Sequence, residues 1–154
     1  MLLLMICNSI WTSYAFKTQN IDLAIVSVIP LIVDIILLTI YLTVKPQSLL
    51  IKKFFGMVLF SQIFNFDLIP VSMCGLLGTF TSVLSNMFGL LFIPDIIRTR
   101  DVSVINFPML TMSTINSLLW FMYALLLNES FMMMSNSLGF LFNTIQLLIY
   151  YWAI

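Results

Sequence analysis

The polar side chains of this sequence that lie within long apolar runs fall into stripes. Asn136, Gly139, Asn143, Gln146 and Tyr150 stand at i, i+3, i+7, i+10 and i+14, one continuous face of a helix. Ser27, Pro30, Asp34 and Tyr41 make a comparable stripe, Asn116, Trp120 and Tyr123 a third, and Ser82, Asn86 and Gly89 a fourth. The chemistry open to these groups is hydrogen bonding. Any one of them could be glue between helices, whereas four stripes that point at one another line a bundle interior. His-based metal sites, Ser-His-Asp chemistry and an intramembrane hydrolase all fail on residue type. Histidine is absent, and neither G-x-S-x-G nor H-E-x-x-H occurs.

The elements that position these stripes are set by composition. The 154 residues are 62% hydrophobic and 8% charged, where a globular domain carries about 25% charge. Mean hydropathy is +1.13. So few charges cannot coat a water-facing surface, and lipid must be the main solvent. Six basic residues balance six acidic ones, which gives no footprint for nucleic acid. Cys7 and Cys74 alone make no disulfide framework. The apolar opening lacks a basic n-region and does not read as a signal peptide.

Charges and turn formers divide the chain into apolar segments at 1–16, 22–44, 54–69, 71–97, 106–127 and 131–153. About 20 helical residues cross the hydrocarbon. The second, fourth, fifth and sixth segments reach that length; the first is short, and the third is short and carries Asp67. The fold class is therefore an all-α polytopic membrane protein of about six transmembrane helices. Lys45, Lys52, Lys53, Arg98 and Arg100 then share one face, which the positive-inside rule makes cytoplasmic. Lys17, Asp67 and Glu129 fall on the other face, and both termini are cytoplasmic. Asn128-Glu-Ser130 is a glycosylation sequon squeezed between two spans, and we expect it to go unused. Asp34 lies within a span, where a carboxylate costs about 2.5–3.5 kcal/mol on translocon scales. A proton relay and a protonated, hydrogen-bonded structural role both fit it; the lack of basic partners inside the spans favours the second.

The chain also repeats itself. Trp11-Thr-Ser-Tyr14-Ala15 recurs as Trp120-Phe-Met-Tyr123-Ala124, an offset of 109 residues. At that offset Ser27 falls on Asn136, Pro30 on Gly139, Asp34 on Asn143, Leu38 on Leu147 and Tyr41 on Tyr150. Segments one and two thus repeat segments five and six in the same orientation, and parallel repeats are one signature of transporters. Segment four has no counterpart, since its partner would fall ahead of Met1. The simplest account is two parallel three-helix repeats joined by a linker helix, with the first helix of the first repeat missing. The expected organisation is a partial first repeat over 1–46, a linker helix over 47–70 and a second repeat over 71–154.

Phe92, Pro94, Arg98, Thr99 and Arg100, then Asn106-Phe107-Pro108, then Trp120-x-x-Tyr123-Ala124, then Asn136-x-x-Gly139 with Gln146, resemble the second repeat of an animal SWEET (MtN3/saliva) sugar transporter. The resemblance is closest over 71–153. SWEETs are themselves an example of carriers built from parallel repeats, so repeat and resemblance are not independent. The resemblance implies facilitative, uncoupled, bidirectional sugar transport by alternating access, with no cofactor and no enzymatic activity. It implies a mono- or disaccharide substrate held by Asn136, Trp120, Ser27, Trp11 and Ser9, with Ser27 in the place of a family asparagine. An asparagine amide donates and accepts as a sugar diol does, and an indole offers a flat apolar face to the ring. Gly89 and Asn106 stand where the family has hinge prolines; Pro94, Pro108, Gly89 and Gly139 are the hinge candidates here.

The partners implied are sugar, membrane lipid, and a second copy or a full-length relative. The location implied is the plasma membrane, with Golgi or another endomembrane as the alternative. The rival reading is a truncated or degenerate SWEET-like paralogue that inserts and oligomerises without transporting. An ion channel would need a filter loop or a charged ring, and none is evident.

Overall fold

The computed structural model describes residues 2–44, Gly56 and 69–154, and every regular element in them is helical. α1 (Leu2–Thr18) and α2 (Ile21–Val44) form a hairpin. α3 (Val71–Met87) runs through a 3-10 segment (Phe88–Phe92) into α4 (Ile93–Thr99), and α5 (Phe107–Leu127) and α6 (Ser130–Ala153) form a second hairpin. Among the described residues, four stretches are long and apolar enough to cross a membrane: Ile21–Tyr41, Val71–Thr99, Phe107–Leu127 and Ser130–Ala153. α1 has 17 residues, short of the usual span. The predicted third span, the linker over 47–70, and Lys45, Lys52, Lys53 and Asp67 lie outside the described residues, apart from Gly56, Ile69 and Pro70.

Local chemistry explains where the helices begin and end. α1 closes on Gln19, whose φ of 54° is left-handed, and α5 closes on Asn128 at 55°. Asn20 then caps α2 by accepting from the Leu23 amide at 3.0 Å. Asn106 caps α5 through its side-chain oxygen, which accepts from Met109 N at 3.2 Å. Pro94 and Pro108 both lie in the first turn of their helices, where the missing N–H costs nothing.

Packing is inverted relative to a water-soluble protein. Ile25, Ile29, Ile32, Ile36 and Ile40 are exposed along α2, while Ser9, Ser13, Thr79, Ser117, Ser135 and Asn143 are buried. Such a surface needs lipid around it. Hydroxyls along the spans return to their own helices: Thr12 to Asn8 O at 2.7 Å, Thr81 to Leu77 O at 2.9 Å and Thr144 to Phe140 O at 2.7 Å. The described chain is a polytopic all-α membrane protein.

Contacts divide the chain into two compact units, Met1–Thr81 and Ser82–Ile154. In the first, Met5, Ser9, Cys74, Thr79 and Leu38 are buried, and the Lys17 ammonium donates to the Ile69 carbonyl. In the second, Ile96, Ala124 and Met132 form the core. One end of this unit is closed by Arg100, whose guanidinium lies 3.4 Å from the Trp152 ring centroid and donates to its carbonyl at 2.7 Å. Phe107 stacks on Tyr150 beside it, with centroids 4.8 Å apart.

Candidate functional site

The two hairpins are built to the same plan. Asn20 N donates to Ala15 O at 3.0 Å, and Glu129 N to Ala124 O at 3.0 Å. Gln19 N reaches Phe16 O at 3.3 Å, and Asn128 N reaches Leu125 O at 3.3 Å. Trp11 meets Tyr14 edge to face at 5.5 Å and 87°, and Trp120 meets Tyr123 at 5.3 Å and 88°. Ala15 and Ala124 are both fully buried, and Leu23 and Met132 on the facing helices are buried too. The offset read from the sequence therefore recurs in the turn backbone, in the ring pairs and in the burial of these four residues.

Each hairpin carries its polar face inward. On α2, Leu23, Ser27 and Leu38 are buried and Asp34 is half-buried. The Asp34 carboxylate accepts from Asn8 Nδ2 of α1 at 3.1 Å, so its described partner is an amide rather than a cation. On α6, Ser135, Gly139, Asn143 and Gln146 are buried. The predicted stripe on α6 is thus largely an inward face. Two predicted members of the other stripes turn away. Tyr41 is 47% exposed. Asn116 is exposed while Ser117 is buried, because Leu110, Ser117 and Ala124 repeat every seven residues on the packed face of α5 and Asn116 lies one residue out of phase.

The residues expected to bind differ in accessibility. Ser9 is fully buried and its carbonyl accepts from Ser13 Oγ at 3.1 Å. Trp11 is 8% exposed and Ser27 is 5% exposed. Trp120 and Asn136 of the second unit are half-buried. The Asn136 amide donates to Met132 O at 2.9 Å and lies 3.4 Å from Ser135 Oγ, which leaves its carbonyl oxygen outside these bonds.

The candidate hinges are distributed unevenly. Gly89 lies in the 3-10 segment, where a Cβ would overlap the Gln146 carboxamide. Gly139 has no room either, since a Cβ there would stand 3.0 Å from Asn86 Nδ2 and 3.2 Å from Ser117 Oγ. Pro94 and Pro108 start helices, while Pro30 lies inside one. No group of His, Cys, Asp and Glu that could hold a metal occurs among the described residues. Outside the spans, the Ser103 backbone N–H, 2.8 Å from Asp101, and its hydroxyl hold the Asp101 carboxyl below the usual carboxylate value.

Asn8 and Ser117 escaped the stripe reading. Their signal was the offset of 109 itself, which superimposes Asn8 on Ser117 just as it superimposes Asp34 on Asn143.

Residues 72–153 match the family described as sugar efflux transporter for intercellular exchange (MtN3/saliva). Bidirectional sugar transporter SWEET12 of Oryza sativa subsp. japonica is 26% identical over 153 residues, covering 92% of this chain and 51% of its own. SWEET15 of Oryza sativa subsp. indica is 25% identical over 153 residues, 92% of this chain and 48% of its own. SWEET9 of Arabidopsis thaliana is 36% identical over 74 residues, 48% of this chain and 26% of its own. The chain thus spans about half the length of the two rice relatives. No solved structure matches it.

Proposed function

Because the chain belongs to the SWEET (MtN3/saliva) family of sugar efflux transporters, a family of carriers and not of enzymes, we propose that it moves a mono- or disaccharide across a membrane. The transport is facilitative, bidirectional and uncoupled, by alternating access, and needs no cofactor. The observation that carries this reading is the Trp-x-x-Tyr-Ala hairpin built twice, each time beside a helix with a polar inward face. The 25–26% identity with full-length bidirectional sugar transporters supports it.

In this reading Asn136 and Trp120 meet the sugar from the second repeat, taken as 71–154, and Ser27, Trp11 and Ser9 from the first, taken as 1–46, with 47–70 as linker. A diol exchanges water for amide and hydroxyl partners, and the indole stacks on its C–H face. Gly89, Gly139, Pro94 and Pro108 are the points about which the helices bend. The burial of Ser9, Trp11 and Ser27 fits a carrier with one half of its site covered. The same burial also favours a second reading, a SWEET-like chain that inserts and associates without carrying sugar.

The deciding assay is radiolabelled hexose flux in cells lacking their own carriers, with surface expression measured alongside. Asn136→Ala should lower uptake about tenfold or more, since lost hydrogen bonds leave buried partners unpaired at about 1–3 kcal/mol. Unchanged uptake removes Asn136 from the mechanism, and absence of flux in the parent chain supports the second reading. We place both termini in the cytoplasm and the protein in the plasma membrane, with Golgi as the alternative. Reporters after Ile154 and beside Lys52 should read cytoplasm and one at Glu129 the opposite side; finding Glu129 and Lys52 together breaks this topology. Association with itself or a full-length relative is expected, and a strictly monomeric, folded chain in mild detergent would contradict it.

A further inference from the structure

Trp11 is buried, and what covers one part of it is a glycine. A Cβ built on Gly78 of α3 would stand 3.0 Å from Cε2, 3.2 Å from Cδ2 and 3.3 Å from Cζ2 of the Trp11 indole. Cε2 and Cδ2 are the two ring-fusion carbons, surrounded in the ring plane by bonded atoms. A group can have them as nearest neighbours only from above the ring. Gly78 therefore lies over the face of the indole, and the missing side chain is what lets the α3 backbone come this close. Tyr14 meets the same indole at 87°, so the ring is held from a second direction.

We propose that Gly78 is a positioning residue for Trp11: its backbone occupies the indole face on which a sugar stacks, and α3 must draw off that face before sugar can use it. This rests on the reading of Trp11 as a stacking platform. Aromatic faces take sugar rings by close apolar contact over the whole ring, so Gly78 and a sugar cannot hold the same face together. The indole is rigid, and α3 approaches it with backbone rather than with a flexible side-chain end. A methyl group added at this position therefore disfavours the covered arrangement.

The kinetic consequence has a definite sign. When only a fraction of molecules is competent to bind, the apparent dissociation constant is the intrinsic one divided by that fraction. Gly78→Ala raises the competent fraction, so KM falls while the maximal rate does not rise. A mere folding defect gives the reverse pattern, a lower maximal rate at unchanged KM. Alanine is the better helix former, which favours insertion and folding of the variant.

The experiment uses the full chain labelled with 5-fluorotryptophan, which keeps all three tryptophans. The Trp11 fluorine resonance is assigned by its disappearance in Trp11→Phe. Gly78→Ala should move the Trp11 resonance and leave those of Trp120 and Trp152 in place. Titrated D-glucose should shift the Trp11 resonance at a several-fold lower concentration in the variant, up to about tenfold for a displaced core contact. Hexose uptake should show KM lowered by the same factor. In a Trp11→Phe background, with its smaller ring, Gly78→Ala should no longer change KM. An unmoved Trp11 resonance overturns the contact, and an unchanged or raised KM overturns the competition. If the resonance moves but Trp11→Ala leaves hexose uptake and its KM intact, the platform reading fails and the competition with it, while the contact stands as packing alone.

Discussion

At equivalent places in the two hairpins the structure puts different polar pairs. On α1 and α2, Asn8 donates to Asp34 at 3.1 Å. The offset of 109 carries that pair to Ser117 and Asn143, both buried, and there the Asn143 amide nitrogen has no partner among the described residues. The turn hydrogen bonds are shared, and the two pairs differ in their side chains. One hairpin is locked across its interior by an amide–carboxylate bond, and the other holds a buried donor at a cost. Keeping a frame and keeping its internal bonds are separate matters.

Breaking the frame should have the largest effect. Trp11 is 8% exposed and Trp120 only half-buried, so Trp11→Ala should destabilise the detergent-solubilised protein by about 3–5 kcal/mol and Trp120→Ala by less. Equal losses of thermal stability would erase the distinction between the hairpins. The interior pairs come next. Asp34→Leu strands the Asn8 amide and should cost about 1–3 kcal/mol, whereas Asn143→Leu removes an unpartnered donor and should be neutral or stabilising. A melting series in which Asn143→Leu loses as much as Asp34→Leu would show that Asn143 has a partner. Ser27→Asn, which gives the first hairpin the amide of the second, is the smallest change. Uptake should stay level or rise, and a clear fall would mean that the two hairpins need different groups at this position.

The spans were legible because charges and turn formers interrupt an apolar chain, and the helices Ile21–Val44, Phe107–Leu127 and Ser130–Ala153 follow those interruptions closely. The repeat was legible from two tryptophans, two tyrosines and two alanines, whose ring pairs meet at nearly the same angle and whose alanines are both buried. Phase was harder. α5 is apolar nearly all round, so nothing in its sequence says whether Asn116 or Ser117 faces inward, and one residue turns a side chain by about 100°. Tyr41 follows the stripe of Ser27 and Asp34 on paper, yet it lies beyond Leu38 and its side chain is exposed. Gly78 was invisible for another reason. Its meaning comes from an indole far away in the chain, and spacing within one helix cannot report on that.

The 3-10 segment Phe88–Phe92 also fixes a thread pitch. A 3-10 residue rises about 2.0 Å and an α residue about 1.5 Å, with turns of about 120° and 100°. Rewinding these five residues as α-helix would shorten the span by about 2.5 Å and rotate its far end by about 100°. Ile96, now buried, would be screwed out of its seat, and Arg100 would be carried away from Trp152. Within the second unit the stretch works as a spacer that keeps Ile96 and Arg100 in their seats while Gly89 stays against Gln146.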